Sequence, residues 1–169
     1  NSNPIAAIEA QRLVIKKATA KKPNTLAVSY PVHLILRQHP LIVDRFKYNV
    51  ASPTTAFPPN EFLASVFEVE NYWVMAGEYD TANEGQTPSL DFIWGRNALL
   101  AIIEPEPKQR EVTLGYSFRW LFGAPELGGT LTKRYRVEQK TLDVIEVHRY
   151  DDIEPVVTAA GIYFTSAVA

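Results

Sequence analysis

Three features of the sequence predict an α+β fold. Capped, amphipathic segments of helical period crowd the chain up to Phe67, with one short strand among them. From Asn71 onward the apolar runs are short, alternating or β-branched, and Pro- and Gly-rich stretches punctuate them. The chain has 169 residues, 46% of them hydrophobic, which suits one full core with helices packed on a mixed sheet.

Each element has a local reason. Asn3-Pro4 reads as an N-cap followed by proline at the first helical position, where a missing N–H costs nothing. Ile5, Ile8 and Leu13, with Val14 and Ile15, mark one face of a helix running to about Ala18; Lys16 and Lys17 suit its negative end. "TLAVS" (Thr25 to Ser29) predicts a buried strand. "YPVHLILRQ" predicts a helix with Pro31 in its first turn, stopped at His39-Pro40, and Leu41 to Lys47 adds another turn or two. Ala51 to Asn60 reads as a loop, with Asn60 capping a short helix on which Phe62, Val66 and Phe67 share a face.

"NYWVMAG" predicts a strand, and "NALLAII" a fully buried one because its apolar residues do not alternate. "EPEPKQRE" is an exposed connection. "VTLGYSFRWLF" and "TLTKRYRVEQKT" are expected to pair across the turn cluster "GAPELGG". In "LDVIEVHRYDD", Val144, Glu146, His148 and Tyr150 fall on one face, Ile145, Val147 and Arg149 on the other. "PVVTAAGIYFTSAV" closes the chain with a strand broken at Gly161.

Composition narrows the chemistry. The net charge is -2, so no global field draws the chain to nucleic acid or an anionic membrane. There is no cysteine, which excludes disulfides, thiolate chemistry and cysteine-ligated zinc. His33, His39 and His148 lack metal-binding spacing. His148 lies near Asp151 and Asp152, but no Gly-x-Ser-x-Gly elbow supplies a nucleophile. Glu104 and Glu106 are spaced to point the same way on an extended chain, yet prolines and "KQRE" surround them with solvent. The glycines Gly123, Gly128 and Gly129 lack the lysine of a phosphate-binding loop. Arg119, Lys133, Arg134 and Arg136 alternate with Tyr116, Phe118, Trp120 and Tyr135 on strands expected to be adjacent, a pattern that can bind single-stranded nucleic acid. Nearby Glu111, Glu126 and Glu138 weigh against that use. Arg119, Trp120, Lys133, Arg134, Tyr135 and Arg136 therefore stand as candidate contact strands, and no cofactor is expected.

Several blocks, in this order, resemble the major capsid proteins of tailed phages with the Hong Kong 97-type fold. They are Lys22-Pro23-Asn24-Thr25, His39-Pro40 with Asp44-Arg45, "NEGQ" followed by "IWG", and the terminal "AAGIYFTSAVA". The resemblance covers nearly the whole chain. It implies a subunit with an N-terminal arm, an extension loop, a peripheral domain with a spine helix, and an axial domain. The chain opens with Asn1 at a helix that resembles the entry to the axial domain. The expectation is a C-terminal portion: axial domain over about 1–105, with a central mixed sheet flanked by helices, and returning β-rich peripheral strands over about 106–169. No crosslinking lysine is transferred, because it belongs to the extension loop.

The resemblance implies a structural, non-enzymatic coat subunit that self-assembles into hexamers and pentamers of an icosahedral head in the host cytoplasm. Its expected partners are other coat subunits, with scaffolding, decoration and portal proteins, and packaged DNA held without specificity; no membrane is involved. A nanocompartment shell of the same fold is the nearest alternative, and a hydrolase with a site near His148 a more distant one. On the coat reading, the small, polar run Asp80, Thr81, Ala82, Asn83, Glu84, Gly85, Gln86, Thr87, Pro88, Ser89, Leu90 and Asp91 has a role. A loop this long is either functional or disordered. Small residues suit the close approach of identical copies, so this loop is expected to line the centre of the capsomer, ordered by its neighbours.

Overall fold

A computed structural model describes residues 3–49, 57–106, 108, 110–121 and 128–168. The expected loop at 51–56 and most of the "GAPELGG" turn, with Gly123 and Glu126, lie outside them.

The fold is a mixed α+β arrangement in which the chain up to Ala101 builds most of a four-stranded sheet and its helical cover. Asn3 caps α1 (Pro4–Thr19) by accepting the Ala6 N–H at 3.1 Å. The helix ends at Ala20, whose left-handed conformation returns its N–H to the Lys16 carbonyl. Ile5, Ile8 and Ile15 are buried, whereas Leu13 and Val14 are exposed, so the buried stripe is narrower than the apolar pattern suggests. Strand β1 (Thr25–Ser29) is buried at all five positions because it is central. The sheet runs β10 (Gly161–Phe164), β5 (Ala98–Ala101), β1, β2 (Asn71–Met75), with β1 and β2 parallel and the other neighbours antiparallel.

Helix α2 (Tyr30–Gln38) starts where β1 ends, and α3 (Pro40–Asn49) follows the His39-Pro40 break. In α4 (Asn60–Val66), Asn60 is the first helical residue and the capping position falls to Pro59, so the expected Asn60 side-chain cap is not formed. Register separates the sheet's faces. Leu26, Val28, Leu100 and Phe164 lie on one face, in a core with Ile8 and Ile15 of α1, Val32 and Leu36 of α2, and Leu63 and Phe67 at α4. On the other, Ala27 lies between Trp73 and Leu99, and Tyr163 follows; Trp73 and Tyr163 are about half exposed. Asn24 locks the ends: its side chain exchanges two bonds with the Ile103 backbone, and its carbonyl accepts the Glu70 and Asn71 N–H groups.

Two compact units emerge. The first holds the sheet and helices, residues up to Leu114 and from Val157 onward; the second is Gly115–Val156. The boundary between the two units follows Leu114. Ile102 and Leu114 stay with the sheet, because the Leu114 N–H donates to the Ile102 carbonyl and the Val157 N–H to the Leu114 carbonyl. Gly161 begins β10 after a 3₁₀ turn at Thr158–Ala160 instead of interrupting a strand. A side chain there would bring its Cβ to 2.8 Å from Leu114 Cδ1.

The second unit is a two-stranded ribbon. β7 (Leu131–Val137) pairs with β8 (Leu142–His148) across the turn Glu138–Lys140 and left-handed Thr141. β6 (Gly115–Arg119) pairs with β9 (Asp151–Pro155), and the Trp120 N–H donates to the Tyr150 carbonyl. The expected pairing of β6 with β7 is therefore wrong. The short closure between β7 and β8 costs less loop entropy than the longer span from β6 to β7, and it places β9 beside β6.

Candidate assembly surfaces

The segment that interrupts the apolar pattern is a hairpin. β3 (Glu78–Asp80) pairs with β4 (Leu90–Phe92), and nearly every residue from Glu78 to Asp91 is exposed. Asp80 organises the loop between them. Its Oδ1 accepts the N–H groups of Ala82 and Ser89, both at 2.9 Å, and these two bonds hold its carboxyl below the ordinary carboxylate range. Thr81 closes the neck through its N–H and hydroxyl, both donating to the Ser89 carbonyl at 2.8 Å. Within the loop the Gln86 N–H reaches the Asn83 carbonyl around Gly85, whose φ of 84° favours glycine. The loop thus carries internal bracing of its own.

The base of the hairpin is tied to the sheet. Phe92 packs on Tyr30 at 5.7 Å between ring centroids, and the Ile93 N–H donates to the Gly77 carbonyl. Gly95 (φ 54°) turns the chain, and Trp94 meets Tyr163 edge-on. The Asn97 carbonyl then accepts the Ser29 N–H, and its Oδ1 accepts the Ser166 N–H. This is what "IWG" does: it returns the excursion to β5. Leu90, Ile93 and Tyr79 remain exposed on the hairpin.

The candidate basic residues divide between the two ladders of the ribbon. Arg119 lies on β6 and donates to Asp151 at 2.7 Å, while Trp120 meets Tyr150 edge-on. Lys133, Arg134, Tyr135 and Arg136 lie on β7, where Lys133 is opposite Glu146 and Asp143 sits 3.9 and 3.7 Å from Arg134 and Arg136. Tyr135 donates to Glu146 at 2.6 Å, which raises the Tyr135 pKa and lowers that of Glu146. Arg119 and Trp120 therefore lie on a different ladder from Lys133, Arg134, Tyr135 and Arg136, because β6 pairs with β9 and β7 with β8.

Elsewhere several titratable groups sit in ion pairs or packing contacts. His148 Nε2 lies 3.3 Å from Glu146, and Asp151 is engaged by Arg119 and Arg149, whose bonds to it hold its carboxyl low. Glu104 accepts from Lys21 at 2.6 Å, whereas the exposed Glu106 faces Lys108, so those two carboxylates do not share a site. His33 is buried, with Nδ1 3.1 Å from the Tyr72 hydroxyl; burial, then Arg37, lowers its pKa. Among the described residues no group of three or more potential metal ligands occurs, and no helix is long and apolar enough to cross a membrane. Sequence reasoning missed Asp80 as a clamp and Asn24 as a lock; an Asp or Asn at the edge of a strand was the available signal in both cases.

These elements define an α+β fold shared with a phage-related protein. The crystal structure of a phage-related protein from Bordetella bronchiseptica RB50 superimposes with a TM-score of 0.78, covering 98% of this chain and 50% of that one at 21% identity. In sequence, the chain is similar to the major capsid protein of Burkholderia phage BcepMu, with 29% identity over 126 residues, 70% of this chain and 38% of that protein. The chain thus spans half or less of the length of these two relatives. No family model matches it.

Proposed function

We infer that this chain belongs to a structural coat subunit of a tailed phage or prophage, as the C-terminal portion of a major capsid protein of the Hong Kong 97 type. The observation that carries the reading is the 29% identity with a phage major capsid protein across 70% of the chain. The fold likeness to a phage-related protein over 98% of the chain supports it. In this reading the sheet-and-helix unit is the axial domain and the Gly115–Val156 ribbon the returning peripheral strands. The subunit's work is self-association into hexamers and pentamers around DNA, in the host cytoplasm, and its chemistry is shape and edge charge.

The Asp80–Asp91 hairpin loop lines the capsomer axis. Its exposure, its small residues and its anchored base support that role. Scaffolding, decoration and portal proteins are the further partners of such a subunit. The test is to express and purify the full-length protein and image it. Closed shells containing nuclease-protected DNA when the phage packaging proteins are present support the reading. A soluble protein that never forms particles contradicts it.

A further inference from the structure

Two faces of the ribbon complement each other in charge and shape. In an antiparallel ladder, directly opposed residues share a face, as do residues two apart. In the β6–β9 ladder, Phe118 and Trp120 share a face with Tyr150, Asp152 and Glu154. Phe118 and Trp120 are 52% and 60% exposed, and the two carboxylates are exposed beside them. The ladder partners of Asp152 and Glu154 are Phe118 and Tyr116, which carry no charge. In the β7–β8 ladder, Arg134 and Arg136 share a face with Ile145, Val147 and a single ladder carboxylate, Asp143. Ile145 and Val147 are 65% and 63% exposed. Asp143 is 3.9 and 3.7 Å from the two guanidiniums, and Glu138 is 3.8 Å from Arg136, contacts too long and too exposed to use up their donors.

We propose that the Arg134/Arg136 face of one subunit docks on the aromatic-acidic face, Phe118, Trp120, Asp152 and Glu154, of a second copy. The inference rests on the coat reading above and names the surface through which copies join. A two-stranded ribbon with apolar side chains on open faces is marginal alone and needs a partner. Guanidinium groups stack on aromatic rings and pair with carboxylates, and Trp, Tyr and Arg dominate interface energetics. Spacing agrees: a rise of about 3.4 Å per residue sets Arg134 and Arg136 about 7 Å apart, the same interval as Phe118 to Trp120 and Asp152 to Glu154. A phosphate backbone would be attracted to the arginine face but repelled by the acidic one, whereas a second copy satisfies both. Because the two faces differ, a contact of this kind is heterologous, the type that forms rings where its rotation closes.

The test uses the full-length protein and sedimentation across a concentration series. Asp152→Lys with Glu154→Lys, and separately Arg134→Glu with Arg136→Glu, should each raise the concentration for half-assembly roughly tenfold or more, with the circular dichroism spectrum unchanged. Combining all four substitutions restores opposite charges and should return assembly to near the unsubstituted level. Unchanged assembly in both double variants, or no recovery in the quadruple variant, overturns the proposal. So does an Arg134/Arg136 variant that assembles normally but fails to retain DNA. Failure of the unsubstituted protein to assemble would instead overturn the coat reading itself.

Discussion

Asp80 is exposed, yet it sets the shape of its loop through two backbone N–H groups. The ionised carboxylate accepts both bonds more strongly than the protonated acid does, so they are at full strength above its ordinary pKa of 3.8 and weaken as pH falls through the lower value in the folded chain. An NMR titration of the Ala82 and Ser89 amides should therefore show a midpoint below 3.8, and Asp80→Asn should remove it. His33 works in the opposite sense. Burial disfavours its charged form, so the unfolded chain takes up a proton near the ordinary 6.5 while the folded chain does not. Stability should fall as pH drops below 6.5 and level off below the folded pKa. Melting temperatures between about pH 8 and pH 5 should decline in the natural sequence and flatten in His33→Leu; parallel curves would rule this out. At Leu100, which is fully buried, truncation to Ala should cost about 2–5 kcal/mol in urea unfolding. Truncating exposed Ile145 should change the isolated subunit's stability by less than about 0.5 kcal/mol.

At the scale of elements, the ribbon depends on a close approach at Gly115. A Cβ there would lie 2.7 Å from the Glu154 carbonyl oxygen, a backbone atom that cannot rotate away. Gly115→Ala should push β6 from β9 and cost about 1–3 kcal/mol, read as faster hydrogen exchange in Phe118 and Ile153 with the β1 amides unchanged. The elements differ in how legible they were. α1 was readable because capping by Asn3, proline and a 3.6-residue period agree; β1 was readable because a short apolar segment, β-branched at intervals and preceded by the turn "TAKKPN", suits a buried strand. Pairing was harder. Nothing local in "GYSFR" specifies β9 as its partner, since that register follows from the turn at Glu138–Lys140, well downstream. The same limit hid the charge pattern: Arg119 reads as a member of a basic patch until β9 brings Asp151 against it. The loop's unusual composition was visible, but its clamp was not, because a carboxylate bonding residues two and nine positions on leaves only a weak mark in sequence.

For the whole molecule, the proposed work is done between copies. Identical hairpin loops meeting at a symmetry axis would bring copies of Glu84 together, and such like charges repel unless salt screens them. Glu84→Gln should therefore lower the salt concentration needed for assembly of the full-length protein, as followed by light scattering; an unchanged salt dependence would place Glu84 away from the axis. The proposal at its centre is that this chain builds a shell with the Asp80–Asp91 loop at the capsomer centres. A cryo-electron microscopy map of particles formed by the full-length protein tests it most directly. The expected result is closed icosahedral shells in which this loop is the segment nearest the five-fold and six-fold axes. Particles in which it lies far from every such axis, or is covered by its own subunit, would contradict it.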